Sequence, residues 1–327
     1  MADIKVFSLS GNSGLVEEIC DYLGTTPGKI SVKHFADGET LVELGESVRG
    51  KQVYIVQSTY QPVNERLMEL LIAIDTVKRS SAKDIICIVP YFGYARQDRK
   101  AQPRQPITAR LVADLLSIAG ANRVVTIDLH APQIQGFFSF PVDEMKSVPM
   151  MGQYFKNKGL DLENTVVVSP DHGGANRARQ LAEILGTPIA IVDKRRPRPN
   201  EVEAQSVIGE VEGKDCIVID DICDTGGSLC AACQILKDHG AKDVYVALAH
   251  GVFSKDAIER IENSVIKELV VSNTIPLSEE KKAKTTKITV LSVGKMLAKL
   301  ISAVSTDSPI SEVYDLYTSK SEQTKII

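Results

Sequence analysis

An apolar stretch that ends in two acids and a glycine turn is the part of this sequence best suited to chemistry. Residues 216–219 are apolar, Asp220 and Asp221 follow, and a helix-like pattern begins near residue 228. The intervening turn contains Asp224, Thr225, Gly226, Gly227 and Ser228. Carboxylates at a strand end accept hydrogen bonds from vicinal sugar hydroxyls, and glycines let backbone amides close on a phosphate at a helix N-terminus. The pattern predicts a pocket for a phosphorylated sugar rather than an ordinary acidic loop.

Two further segments carry charged and aromatic side chains beside turns. The segment 35–39 has two acids around a glycine, which taken alone predicts a simple β-turn. The segment 91–99 follows the apolar run 85–89, so it lies at the carboxyl end of a strand, where open α/β sheets bind ligands. Its arginine and glutamine could bind the phosphate and base of a nucleotide. The residues concerned are Phe35, Asp37, Glu39, Arg96, Gln97 and Asp98.

Two more strand ends carry groups that suit a cation. Asp128 and His130 follow the apolar run 124–127 and, in an extended chain, would point to the same side. Such a pair can bind Mg²⁺, although a lone histidine is more often a structural group. Asp171 follows another apolar run and precedes two glycines, which makes it a second candidate cation contact.

The segment 193–199 concentrates positive charge. Lys194 and Arg196 lie in it, and Pro197 and Pro199 prevent it from being helical. A basic loop is usually just a solvated surface. Beside several acidic strand ends, this one is interpreted as a mobile flap that could neutralise transferring phosphates.

The composition excludes several classes of function. The chain has 327 residues, of which 43% are hydrophobic and 24% charged, as in ordinary globular proteins. With a formal net charge of −4, it lacks the basic field that holds nucleic acid. The absence of a long apolar run argues against a membrane span, and the N-terminus resembles no secretory leader, so a cytoplasmic location is expected. The cysteines between 216 and 233 have the spacing of small buried residues, not of a zinc site.

Short β-rich runs alternate with helix-length segments along the whole chain, which predicts parallel sheets flanked by helices. Residues 51–57 (KQVYIVQ) resemble residues 214–220 (KDCIVID), and each stretch is followed by a loop and a helix. This repeat predicts two similar α/β domains, of which only the second retains the sugar-phosphate turn. A boundary is expected at a polar link near residues 143–148. The predicted domains are 1–146 and 147–305, with a tail, 306–327, that returns to the first domain.

Together these segments resemble the ribose-phosphate diphosphokinase family, specifically its phosphate-dependent class. The resemblance covers nearly the whole chain, and its motifs are 35–39 (FADGE), 94–98 (YARQD), 128–131 (DLHA) with 133–138 (QIQGFF) and 141–143 (PVD), 169–174 (SPDHGG), Lys194 with Arg196, and 218–229. It implies two phosphoribosyltransferase-type domains. The implied reaction transfers the diphosphoryl group of ATP to the anomeric hydroxyl of ribose 5-phosphate and releases AMP, with Mg²⁺ required.

The resemblance also implies roles for individual residues. Asp220 and Asp221 would hold the ribose hydroxyls, residues 224–228 would cradle the 5-phosphate, and Lys194 and Arg196 would be catalytic. ATP would be bound by Phe35, Asp37, Glu39, Arg96, Gln97 and Asp98. His130 and Asp171 would contact Mg²⁺ directly or through water, with Asp128 and Asp143 in the same signature.

Some positions depart from the family pattern, among them Ala101, Pro132, Ser139, Pro197 and Pro199. These departures put the family's control by phosphate and nucleoside diphosphate in doubt, although Ser47, Arg49 and Arg104 could still form part of such a site. The resemblance further implies a homo-oligomer, a hexamer built from dimers.

Two alternatives are open at this stage. A phosphoribosyltransferase, which consumes the diphosphorylated sugar, would share the motif at 218–229 but would need only one of the two predicted domains. A non-catalytic regulatory relative would have lost or interrupted the flap and nucleotide residues. Because those residues are all present here, an active diphosphokinase is the favoured interpretation.

Overall fold

The computed structural model describes residues 4–195 and 204–317. Arg196 and the end of the predicted tail, residues 318–327, therefore lie outside the described residues. The described chain divides into two compact units. The first contains residues 4–146, 274–276 and 293–317, and the second contains the rest. In these residues no helix is both long and apolar enough to cross a membrane.

The first unit is built on a parallel sheet. In chain order its elements are β1 (Ile4–Ser8), α1 (Ser13–Leu23), β2 (Ile30–His34), β3 (Thr40–Leu44), β4 (Gln52–Val56), α2 (Val63–Arg79), β5 (Asp84–Val89), α3 (Thr108–Ala119), β6 (Arg123–Ile127) and β7 (Val142–Met145). The sheet has the order β1-β4-β5-β6-β7, and all its pairs are parallel. Its central strands are continuously apolar and buried, as expected where helices cover both faces. β2 and β3 form a separate antiparallel hairpin.

The second unit contains a larger sheet. Its elements are α4 (Val148–Asn157), β8 (Thr165–Ser169), α5 (Ala175–Leu185), β9 (Ile189–Arg195), β10 (Ala204–Ile208), β11 (Asp215–Cys223), α6 (Gly227–Asp238), β12 (Asp243–Gly251), α7 (Ala257–Glu262), β13 (Ile266–Ser272), α8 (Glu279–Lys282) and β14 (Ile288–Leu291). The order is β10-β9-β8-β11-β12-β13-β14. Among the described pairs of this sheet, the edge pair β10 and β9 is antiparallel and the others are parallel. β11 lies between β8 and β12, so its carboxyl end opens at the middle of the sheet.

The last helix, α9 (Gly294–Ser305), belongs to the first unit. It packs beside α1, and its apolar side chains are buried there, including Leu297 and Ile301. The Tyr54 hydroxyl donates to the Ile301 carbonyl, 3.4 Å away. The sequence-based division had put residues 293–305 in the second domain. The structure differs because an amphipathic helix joins the apolar surface that it can cover, which here is formed by residues far away in the chain.

The two units divide between residues 146 and 147, within the range 143–148 expected for the boundary, but part of the expected polar link is a strand. Val142–Met145 is strand β7, which pairs with β6 along the edge of the first sheet, and α4 begins at Val148. Two acids give β7 a polar pattern that alone does not predict a strand. The pairing with β6 supplies the backbone hydrogen bonds that hold it.

Candidate active site

The sugar-phosphate turn lies between β11 and α6 in the second unit. β11 extends through both acids to Cys223, four residues beyond the apolar run. Gly226 has φ +75°, a left-handed conformation that suits glycine, and the Cys230 amide donates to the Gly226 carbonyl at 2.9 Å as α6 begins. The first amides of a helix lack partners within it, and the dipole adds positive potential there. The turn therefore presents donors suited to a phosphate.

Asp220 and Asp221 form a coupled pair of carboxylates at the end of β11. Asp221 is buried, whereas Asp220 is partly exposed. The Asp221 amide donates to Asp220 Oδ1 at 2.9 Å. Burial, together with hydrogen bonding to and charge on Asp221, raises the pKa of Asp220 to about 7. These effects disfavour the ionised form of Asp220.

Arg177 on α5 faces this pair. Its Nη1 lies 3.1 Å from Asp220 Oδ1 and 3.3 Å from Asp221 Oδ1. The guanidinium opposes the rise in the pKa of Asp220 because it favours the ionised form. Sequence analysis missed this residue, since no local signal distinguishes Arg177 from Arg179 on the same helix.

A second arginine lies beside the phosphate turn. A Cβ placed on Gly227 would come within 3.2 Å of Arg260 Nη1 and 3.9 Å of Thr225 Oγ1. Arg260 is exposed on α7, which follows β12. The turn itself is attached to the same region, because the Ser254 amide donates to the Asp224 carbonyl at 2.9 Å. Sequence analysis did not find Arg260.

Asp171 caps the turn that leads into α5. Its Oδ1 accepts the Gly174 amide at 3.0 Å, and the Ser169 hydroxyl donates to the Asp171 carbonyl at 2.6 Å. The side chain remains exposed to solvent. His172 Nε2 lies 3.1 Å from Oδ1 of the buried Asp193 on β9. The Asp171 carboxylate is thus fixed at a strand end while accessible to a cation.

Only part of the basic segment can be described. β9 runs to Arg195 and pairs with β10 in an antiparallel register that sets Lys194 opposite Gln205. Lys194 therefore lies on an extended strand, in agreement with the non-helical expectation. Arg196, Pro197 and Pro199 fall outside the described residues.

The segment 35–39 forms the turn of the β2–β3 hairpin. The Phe35 amide donates to the Glu39 carbonyl at 2.8 Å, and the Glu39 amide donates to Asp37 Oδ1 at 3.1 Å. Gly38 has φ +93°. The Phe35 side chain is 54% exposed, which is unusual for a large aromatic ring and leaves a face on which a base could stack.

The other nucleotide candidates follow β5 in the first unit. Gln97 Oε1 accepts the Thr108 hydroxyl at 2.6 Å, and Asp98 Oδ2 accepts the Gln133 side-chain amide at 2.9 Å. Arg96, which precedes both residues, is exposed at the surface. The local fold thus holds Gln97 and Asp98 in place through side-chain contacts.

The expected alignment of Asp128 and His130 is wrong. Asp128 has φ +40° immediately after β6, so the chain is not extended there and the period-two rule does not apply. Asp128 is buried, whereas His130 is exposed. Asp143 forms an ion pair with Arg123 across β6 and β7. Of these three candidates, His130 is the one whose side chain is open to solvent.

The possible regulatory residues lie in loops of the first unit. The Arg49 amide is 3.5 Å from Ser47 Oγ, which accepts it weakly, between β3 and β4. Arg104 lies before α3 with φ +67°. All three are exposed. That they form one site remains a prediction.

The cysteines have the environment of packed core residues. All six are free, and all except Cys230 are buried. Burial raises the pKa of Cys87 to about 12, and it is the largest of the causes that raise the pKa of Cys216 to about 12, so neither thiol is reactive at neutral pH. Within residues 4–195 and 204–317, no group of three or more His, Cys, Asp or Glu side chains could hold a metal ion.

Comparison with known proteins identifies the family. Residues 4–120 match the family model described as the N-terminal domain of ribose phosphate pyrophosphokinase, and residues 195–315 match the phosphoribosyl synthetase-associated domain. The chain is 55% identical over 313 residues to the ribose-phosphate pyrophosphokinase of Staphylococcus saprophyticus, with 95% of this chain and 97% of the relative covered. The chain belongs to the ribose-phosphate pyrophosphokinase family. The resemblance proposed from the motifs is confirmed, as are the expected enzyme class and function.

Further similar proteins match over nearly the whole chain. The enzyme of Halalkalibacterium halodurans is 55% identical over 313 residues, covering 96% of this chain and 98% of its own. The crystal structure of phosphoribosylpyrophosphate synthetase from Mycobacterium smegmatis matches with a TM-score of 0.88 and 42% identity, covering 94% of this chain and 100% of that chain. The fold class, two phosphoribosyltransferase-type α/β domains, is confirmed by this match together with the two mostly parallel sheets.

Proposed function

We propose that this chain transfers the diphosphoryl group of ATP to the anomeric hydroxyl of ribose 5-phosphate and forms 5-phosphoribosyl 1-diphosphate and AMP. The observation that carries the proposal is the β11–α6 turn, where a carboxylate pair precedes a glycine turn at a helix N-terminus. Family membership supports the same reaction. The product would serve nucleotide biosynthesis.

Ribose 5-phosphate is the acceptor substrate in this proposal. Asp220 and Asp221 accept hydrogen bonds from the ribose hydroxyls, because ionised carboxylates are strong acceptors. The turn from Asp224 to Ser228 binds the 5-phosphate through backbone amides and hydroxyls. Both groups are held by one strand and one helix, which favours a single orientation of the sugar.

ATP is assigned to residues of the first unit. Phe35 offers an exposed ring for stacking, and the backbone of its hairpin is closed by short hydrogen bonds. Asp37 and Glu39 contact the nucleoside, while Arg96, Gln97 and Asp98 contact the rest of the nucleotide. A hairpin fixed by its own turn can hold a base with little loss of entropy on binding.

The chemical step is an in-line attack on the β-phosphorus, which depends on positioning and charge neutralisation more than on covalent catalysis. Lys194 and Arg196 supply positive charge to the transferring phosphates. Both residues accelerate the reaction through interactions with the phosphates that strengthen as charge develops in the transition state.

The donors at the strand ends fit a magnesium ion that is bound mainly through substrate phosphates. Mg²⁺ uses oxygen ligands and often only one or two protein carboxylates, and Asp171 offers an exposed, fixed carboxylate. His130 is assigned a direct or water-mediated contact. Asp128 is buried and Asp143 is paired with Arg123, so these two fit a supporting role instead. The cation would neutralise phosphate charge.

A product assay tests the proposed reaction. Protein supplied with Mg²⁺, ATP and ribose 5-phosphate should form AMP and the diphosphorylated sugar in equal amounts, as followed by anion-exchange chromatography. An Asp220→Asn variant prepared in parallel should lose most of this activity, which excludes a contaminating kinase. Formation of ADP instead of AMP would contradict the proposed reaction.

Assembly and location complete the proposal. A homo-oligomer, a hexamer built from dimers, acting in the cytoplasm is the form expected. Sedimentation at several protein concentrations, with and without phosphate, measures the assembly. A monomer under all conditions would contradict it.

A further inference from the structure

Arg177 connects the two carboxylates that the proposed function assigns to the ribose hydroxyls. It lies in the first turns of α5, and its side chain is only 20% exposed. One nitrogen, Nη1, reaches Oδ1 of both acids, at 3.1 Å for Asp220 and 3.3 Å for Asp221. The guanidinium thus sits between two like charges at the end of β11.

Two adjacent carboxylates at a partly buried strand end oppose each other's ionisation. The charges of Asp221 and Arg177 act on Asp220, while β12 sets the apolar Leu248 opposite it, with His250 opposite Ile222. A cation shared by both carboxylates offsets their repulsion and limits the rotation of each side chain. Neither effect requires contact between Arg177 and the substrate.

We propose that Arg177 is a positioning residue for the sugar: it orients Asp220 and Asp221 as acceptors for the hydroxyls of ribose 5-phosphate and favours the ionised form of Asp220. This inference rests on the proposed function. A protonated Asp220 would present a donor where the sugar also presents a donor, so sugar binding would weaken. An arginine with a purely structural role would instead affect stability without selectivity for one substrate.

The test uses the full chain with four forms: wild type, Arg177→Met, Arg177→Lys and Arg179→Met. Arg179 is the matched control, because it lies two residues further along α5 and is exposed. KM and kcat are measured for both substrates across a pH series, and thermal midpoints are recorded for each form.

Arg177→Met should raise the KM for ribose 5-phosphate by about 10-fold to 150-fold, the range for losing a hydrogen bond to a charged group, while the KM for ATP changes little. Arg177→Met should begin to lose activity at a higher pH than wild type as the pH falls. Removal of the cation raises the pKa of Asp220 further, so the Asp220 carboxylate forms only at higher pH. Arg177→Lys keeps the positive charge and should retain much of the activity that Arg177→Met loses at acid pH. Arg179→Met should match wild type.

Three outcomes would overturn the inference. The first is an unchanged KM for ribose 5-phosphate in Arg177→Met. The second is an equal increase in KM for both substrates with no change in the pH profile. The third is an Arg177→Lys form whose kinetic constants are no better than those of Arg177→Met. If Arg177→Met does not fold, Arg177→Lys decides: it should have an intermediate KM for the sugar and a wild-type KM for ATP. Failure of the proposed function is distinguishable, since wild type itself would then form no AMP.

Discussion

Gly226 offers a substitution whose cost can be worked out from its backbone. Its φ of +75° is strained for alanine, yet a Cβ there would meet nothing closer than the Ala257 carbonyl oxygen at 3.6 Å, an ordinary contact. Gly186, the C-cap of α5, has φ +72° and no atom within 4 Å of an added Cβ. Gly226→Ala and Gly186→Ala therefore impose the same kind of strain in the same unit.

That strain is about 1–2 kcal/mol for an alanine in the left-handed region. Both variants should consequently show similar, modest decreases in the thermal midpoint. At Gly226, however, the turn can relieve strain only by rotating peptides whose amides are proposed to bind the 5-phosphate. Losing one hydrogen bond to a charged group costs about 1.5–3 kcal/mol, which corresponds to a rise of about 10-fold to 150-fold in the KM for ribose 5-phosphate.

The assay pairs thermal unfolding with steady-state kinetics on both variants and on wild type. Gly226→Ala should raise the KM for ribose 5-phosphate, with the KM for ATP within about 2-fold of wild type. Gly186→Ala should leave both values unchanged. If the two variants had the same KM for the sugar at equal loss of stability, the phosphate-binding role of the turn would be refuted.

Three further predictions concern the proposed chemistry. Because burial and Asp221 raise the pKa of Asp220 to about 7, kcat/KM for ribose 5-phosphate should fall as the pH drops through about 7, and a flat profile between pH 6 and 8 would contradict this. Lys194→Ala should lower kcat by about 10²-fold with little change in KM; unchanged turnover would remove Lys194 from the chemistry. Asp171→Asn should raise the Mg²⁺ concentration needed for half-maximal activity, whereas Asp143→Asn should mainly lower the thermal midpoint through loss of its ion pair with Arg123. A Mg²⁺ titration that ranks these two variants the other way would contradict the assignment.

The central strands and several helices could be predicted because their patterns are local. The runs 85–89 and 217–219 lie in buried strands, as does the run 53–57 up to Val56, and the pattern at 175–185 coincides with α5. The edge strands β7, β10 and β14 were not predicted, since pairing rather than composition holds them. The membership of α9 in the first unit depends on contacts with distant residues, which no local pattern contains.

The same distinction applies to the site. The acids and glycines of the β11–α6 turn are adjacent in the chain, so their spacing alone indicated a phosphorylated sugar. Arg177 is 43 residues from Asp220 and meets it only through the packing of α5 beside β11. The wrong prediction that Asp128 and His130 share one side has a third cause. Asp128 has φ +40°, which changes the direction of the chain, and no sequence pattern indicates this.

The most direct test of the central claim is a crystal structure of this protein with ribose 5-phosphate. The account predicts the 5-phosphate against the amides of residues 224–228, at the N-terminus of α6, with the ribose hydroxyls within hydrogen-bond distance of Asp220 and Asp221. A sugar phosphate bound with its phosphate away from this turn, or with its hydroxyls turned away from both carboxylates, would contradict it.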